Sequence, residues 1–184
     1  MVYYYYKQMN MIVAVNQHGI IGRNNKMLWH IPEDMKYFRR QTMHSIVIMG
    51  RKTYDSLPGG PLDSRINIII TTQPEKYIKK TSQTAIFCTL ADCENILQKL
   101  KTSMNKPVFV IGGADIYRHF FEKCDKLYVT MVDNEESNGV SIFSLLQTWQ
   151  STYTMTSRPP KSMDSKTNYE FLVYEKPAGH INHM

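Results

Sequence analysis

Six short apolar runs, interleaved with segments of helical period, constrain this chain more than any other feature. They are "MNMIVAV" (9–15), "SIVIMG" (45–50), "INIIIT" (66–71), "TAIFC" (84–88), "PVFVIG" (107–112) and "KLYVTMVD" (126–133). Near-continuous apolar runs of this length read as strands buried on both faces. Helical patterns occupy "EDMKYFRRQTM" (33–43), "RKTYDSL" (51–57), "LADCENILQKL" (90–100) and "ADIYRHFFEK" (114–123). Strands alternating with helices predict an α/β fold: a mostly parallel, twisted sheet with helices on both faces. The end of the chain differs. "STYTMTSR" (151–158) and "NYEFLVYE" (168–175) alternate with period two, across a Pro- and Ser-containing loop. They predict an antiparallel hairpin at one sheet edge, bringing the sheet to about eight strands.

With 184 residues, the chain suits a single domain with a sizeable core. Its 42% hydrophobic and 21% charged residues are those of an ordinary soluble protein. No apolar run approaches the roughly 20 residues that span a bilayer, so no membrane partner is expected. The start, "MVYYYYKQ", has neither the apolar region nor the cleavage site of a signal peptide. Cys88, Cys93 and Cys124 are odd in number. Neither they nor the six histidines show metal-ligand spacing, so a reduced, cytoplasmic chain without a metal is expected. The net charge of +6 favours anionic partners. The lysines are scattered and not interleaved with stacking aromatics, so nucleic acid is not expected and small polyanions fit the charge.

Four segments suggest a site. In "LWHIPED" (28–34), Pro32 and the acids suit a helix start, where proline is pre-shaped and negative charge complements the dipole. That capping role by itself accounts for Asp34. Residues 16–31, "NQHGIIGRNNKMLWHI", form a long connection without regular period. Its Ile20, Ile21, Met27 and Leu28 predict a lid rather than a solvated spacer. "VIMGRKT" (47–53) and "VIGGAD" (110–115) each end a strand on glycine and open a helix. In open parallel sheets such strand ends bind ligands, and helix starts offer N–H groups to phosphates. The G-x-G-x-x-G dinucleotide fingerprint is absent, as are Walker, H-E-x-x-H, G-x-S-x-G and C-x-x-C motifs.

The ordered set "IVAV", "GIIG", "WHIPED", "VIMGRKT", "RINIIIT", "VIGGADIY" and "LYVTMVD" resembles the dihydrofolate reductases. The resemblance covers residues 9–176, leaving 1–8 as a lead-in and 177–184 as a tail in which His180 and His183 are expected to be solvated. It implies a monomeric reductase of 7,8-dihydrofolate using NADPH. Asp34 then corresponds to the acid that binds the pterin, with the Thr130 hydroxyl on its carboxylate and Trp29 beside it as the third catalytic position. Ile12, Met35, Phe38, Leu62 and Ile111 would wall the substrate, and Arg65 would hold its glutamate α-carboxylate. Ala14, Ile21 and Gly22 would bracket the nicotinamide. Gly50, Arg51, Lys52, Thr53, Gly112, Gly113, Ala114, Asp115, Ile116 and Tyr117 would surround the phosphates, with Thr71 and Thr72 toward the adenosine. Arg51 and Lys52 favour NADPH over NADH, since NAD sites usually place an acid near the ribose.

Some positions depart from that pattern. Leu28 stands where proline commonly precedes the tryptophan, and Val140 where an acid often anchors the lid. Asp115 puts a negative charge where it should oppose phosphates, and "LPGGPLDSR" lengthens the loop carrying Leu62 and Arg65. Two other functions compete. One is a related reductase of another heterocycle, such as a pyrimidine intermediate of riboflavin synthesis; the other is a nonenzymatic folate, nucleotide or RNA-binding module. Asp34 and Arg65 argue for folate chemistry.

Overall fold

The computed structural model describes residues 9–160 and 167–177. The strands are β1 (Met9–Asn16), β2 (Ile20–Gly22), β3 (Ile46–Gly50), β4 (Ile66–Ile70), β5 (Ala85–Cys88), β6 (Val108–Gly112), β7 (Lys126–Val132), β8 (Val140–Ser141), β9 (Thr154–Ser157) and β10 (Tyr169–Glu175). The helices are α1 (Pro32–Thr42), α2 (Arg51–Asp55), α3 (Leu90–Met104), α4 (Ala114–Phe120) and α5 (Phe143–Thr152). Eight strands form one sheet in the order β5-β4-β3-β6-β1-β7-β10-β9. The first six run parallel, while β10 pairs antiparallel with both β7 and β9.

The apolar runs become strands because alternate side chains enter opposite cores. Met11, Val13 and Val15 of β1 pack on one face with Leu97 of α3, Phe120 of α4 and Trp149 of α5. Ile12 enters the other face with Tyr37 of α1 and Tyr54 of α2. Pro32 opens α1, whose N-cap Ile31 makes no side-chain cap. Thr89 caps α3, accepting from the Asp92 N–H, and Asn105 closes that helix in the left-handed region. All three cysteines are buried and free. Among the described residues, no helix is long and apolar enough to cross a membrane.

Two features differ from the sequence expectations. Residues 151–152 belong to α5, not to the hairpin, whose first strand starts at Thr154. The Ser-, Thr- and Gln-rich "FSLLQTWQST" gives only a weak apolar stripe, yet Leu146 and Trp149, one turn apart, are buried. The long connection 16–31 is also not without structure: β2 pairs antiparallel with β8, joining Ile20 to Ser141 and Gly22 to Val140. Three residues are too few to display a strand period. Gly19 permits the approach: its φ is +74°, and a Cβ there would lie 2.6 Å from the Phe143 backbone. Residues 1–8, most of the hairpin loop (161–166) and residues 178–184, with His180 and His183, lie outside the described residues.

Candidate active site

The carboxyl ends of β1, β3, β4 and β6 open into a cleft of about 1020 Å³, bounded also by α1, α2, α4 and the β2–β8 pair. That is at the top of the range of about 300–1,000 Å³ for single-ligand pockets.

Asp34, the third residue of α1, lies in the wall of this cleft with only 7% exposure. Thr130, central in β7, donates its hydroxyl to Asp34 Oδ1 at 2.6 Å. Burial pushes the Asp34 carboxyl above the ordinary aspartate range, and the Thr130 bond offsets part of that rise. Tyr117 lies beneath the same region and donates to the Ile12 carbonyl at 2.8 Å. Burial, and then the nearby Asp34 charge, push its phenol upward. Trp29 packs on the apolar cluster around Ile31 and Tyr37, and its buried indole N–H makes no hydrogen bond among the described residues. Neither Trp29 nor Thr130 reaches the cleft surface.

Ile12, Met35, Phe38 and Ile111 line the cleft; Leu62 and Arg65 do not. Leu62 packs against the same cluster as Phe38, and its main chain is held in both directions by the Asn67 side chain. Arg65 is buried to 5% exposure, with its guanidinium carbon 5.9 Å from the Phe38 ring centre. Its Nη1 donates to Thr42 Oγ1 at 2.9 Å and its Nε to the Asp63 carbonyl at 3.0 Å. Among the described residues no carboxylate pairs with it. Burial, then repulsion from Arg39, lowers its pKa. A buried cation held by neutral oxygens alone is suited to an external carboxylate.

The remaining cleft is built from strand-to-helix turns. Ala14, Ile21, Gly22, Gly50, Arg51, Lys52, Thr53, Thr71, Thr72, Gly112, Gly113, Ala114, Asp115, Ile116 and Tyr117 all line it. Gly50 and Gly113 are the N-caps of α2 and α4, and neither helix start carries a side-chain cap. The two turns face each other: a Cβ on Gly50 would lie 3.2 Å from Ile116, and one on Gly113 would lie 3.5 Å from Thr53 Oγ1. Gly112 has φ +112°, and a Cβ there would lie 3.1 Å from the Tyr117 ring. Bare backbone at two opposed helix starts, with the Thr53 hydroxyl between them, suits a phosphate chain. The lining cations Arg23, Lys26, Arg51, Lys52 and Arg118 outnumber the acids Asp34 and Asp115. Arg51 is engaged by Asp55 at 2.5 Å, leaving Lys52 without an ion pair among the described residues.

Asp115 differs from its expected role. Its side chain is 97% exposed and is paired with Arg118 at 2.7 Å, so its charge is compensated. Arg118 was missed by the sequence reading, although its i+3 spacing from Asp115 signals a helical ion pair. Thr89, Leu90 and Ala91 also border the cleft. They form a strand-to-helix turn like the other two, but lack the glycine that flagged those. Asn16, at the root of the lid, is fully buried. Its Oδ1 accepts from the His18 and Ile20 N–H groups, and its Nδ2 donates to the Asn134 and Glu136 carbonyls.

Residues 8–176 match the family model for dihydrofolate reductase. The chain is 34% identical over 174 residues to dihydrofolate reductase type 9 of Escherichia coli, covering 92% of this chain and 93% of that protein. It is 34% identical over 167 residues to the dihydrofolate reductase of Bacillus subtilis, covering 90% and 92%. Among solved structures, the dihydrofolate reductase from Enterococcus faecalis complexed with NADP(H) and RAB-propyl superposes with a TM-score of 0.73 at 27% identity, over 92% of this chain and 96% of that one. A buried acid in the cleft wall, two opposed helix starts along it and a match over nearly the whole chain agree: the chain belongs to the dihydrofolate reductase family.

Proposed function

We infer that the protein reduces 7,8-dihydrofolate to 5,6,7,8-tetrahydrofolate with NADPH, supporting one-carbon metabolism and thymidylate and purine synthesis. The observation that carries this reading is Asp34, buried beside Thr130 in the wall of a cleft whose charged lining is mostly cationic and that opens at two helix starts. Bound NADPH supplies the hydride, which the pterin receives at C6 while a proton reaches N5. The chain's own residues orient and polarise. An ionised Asp34 accepts from the pterin 2-amino group and ring N–H, fixing C6 and favouring positive charge on the ring. Thr130 holds that carboxylate in place. Trp29 lies behind the cleft wall, where it packs on the apolar cluster around Ile31 and Tyr37. Ile12, Phe38 and Ile111 provide apolar walls, and Arg65 offers Nη2, which makes no hydrogen bond to the described residues, to the substrate carboxylate.

The opposed turns at Gly50 and Gly113 fit the cofactor pyrophosphate, and Lys52 fits the extra phosphate that distinguishes NADPH. We further propose that residues 9–176 act as one domain and that the protein works as a cytoplasmic monomer. The decisive measurement is NADPH oxidation with and without dihydrofolate. Oxidation that requires dihydrofolate, and that NADH supports poorly, is expected. Oxidation with a pyrimidine but not with dihydrofolate would overturn the substrate, and salt-sensitive RNA retention without turnover would overturn the activity.

A further inference from the structure

Arg118 makes two bonds with one planar group. Nη1 donates to Asp115 Oδ1 at 2.7 Å on its own helix α4, and Nη2 donates to the Ser141 carbonyl at 2.9 Å in β8. Helix α4 is anchored in the core by Ile116, Tyr117 and Phe120. The β2–β8 pair is small: two strand pairings, a bond from the Ile142 N–H to the Gly19 carbonyl at 2.8 Å, a bond from the Ile20 N–H to Asn16 Oδ1 at 2.9 Å, and a 3.4 Å contact from Ser141 Oγ to the His18 carbonyl. With two paired residues on each strand, such an element has few backbone bonds of its own and depends on contacts to its neighbours. Ile21, Gly22, Val140, Asp115 and Arg118 all border the cleft. A single guanidinium therefore joins a core-anchored helix to a short strand pair and offsets the acid beside it.

We propose that Arg118 is a positioning residue with two separable roles. It fastens the β2–β8 pair to α4, and it keeps the Asp115 carboxylate from opposing an anionic cofactor. The second role rests on the reading of this part of the cleft as the NADPH site; the first does not. Hydrogen exchange of the ligand-free protein tests the fastening. Arg118→Gln should speed amide exchange in residues 20–22 and 140–142, with the sheet core unchanged. Unchanged exchange there would overturn the fastening. NADPH fluorescence titration tests the charge role. Arg118→Gln should raise the NADPH dissociation constant by about 2- to 5-fold, the size of a helix-end charge effect. Adding Asp115→Asn should restore that affinity while exchange stays fast. Arg118→Lys, which keeps charge without the two-pronged geometry, should behave like that double variant. Unchanged affinity in Arg118→Gln, or no rescue by Asp115→Asn, would overturn the charge role. Failure of the unmodified protein to bind NADPH would overturn the functional reading and the charge role with it, while the exchange result would still decide the fastening.

Discussion

Asp34 and Asp115 each sit in the first turn of a helix against one cleft, α1 and α4, where a carboxylate complements the helix dipole. Asp34 is nearly excluded from solvent, has one neutral donor in Thr130, and is pushed toward its protonated form. Asp115 is almost fully exposed and is matched by a cation on the next turn. Water and Arg118 make the second acid nearly silent, whereas burial makes the first one chemically consequential. Position in a helix explains why an acid is tolerated; only its surroundings decide what it does.

The largest effect that would break this contrast is Asp34→Asn. The substitution keeps the shape and removes the charge, so kcat at neutral pH should fall by orders of magnitude and recover partly as pH falls. Stability should move the other way. A folded-state pKa raised by burial means stability fully present in acid and lost as pH rises through the folded value. A permanently neutral asparagine escapes that loss. Asp34→Asn should therefore raise Tm at neutral pH, with the gain vanishing below about pH 4. Normal turnover, or a lower Tm at neutral pH, would contradict the assignment.

Arg65 is the cationic counterpart of Asp34: buried, and without a protein counter-ion among the described residues. Arg65→Leu should weaken dihydrofolate binding by about 1.5–3 kcal/mol through loss of a charge-assisted contact. The signature is a raised KM for dihydrofolate with NADPH affinity retained. An unchanged KM would remove Arg65 from the substrate site.

Placing a third acid at the root of the lid sharpens the comparison. Asn16 donates to two carbonyls, at 3.0 and 2.7 Å, which a carboxylate cannot do. Asn16→Asp should cost about 1–3 kcal/mol of stability, as expected for carbonyls left without donors. Denaturant melts would read the loss, and an unchanged midpoint would show that the loop at 134–136 relaxes freely.

The smallest effect belongs to Asp115. Asp115→Ser removes the acid and frees Arg118 to face the cofactor, so NADPH should bind more tightly by a few tenths to about 1 kcal/mol. Weaker binding would mean that the pair serves the cofactor as a unit.

Residue order alone determined which segments are the strands of the main sheet. Buried strands are written locally, as apolar runs of four to eight residues bounded by polar helices, so six strands of the main sheet were legible that way, while β9 and β10 were legible as an alternating hairpin. The glycine-ended turns at Gly50 and Gly113, and Asp34 at a helix start, were legible for the same reason. The ordered motifs identified the family, and through that resemblance alone came Thr130, which lies 96 residues from Asp34 in the chain. Tertiary structure decided the rest. Helix α5 is held by Leu146 and Trp149 in a core that its polar composition hides. β2 is a strand only because β8, more than a hundred residues away, lies beside it. Asp115 reads from sequence as a repulsive charge and becomes a neutralised one because Arg118 turns toward it and toward Ser141. Periodicity records which way a side chain faces. It holds no record of which distant group will be there to meet it, because that is set by packing among elements far apart in the chain.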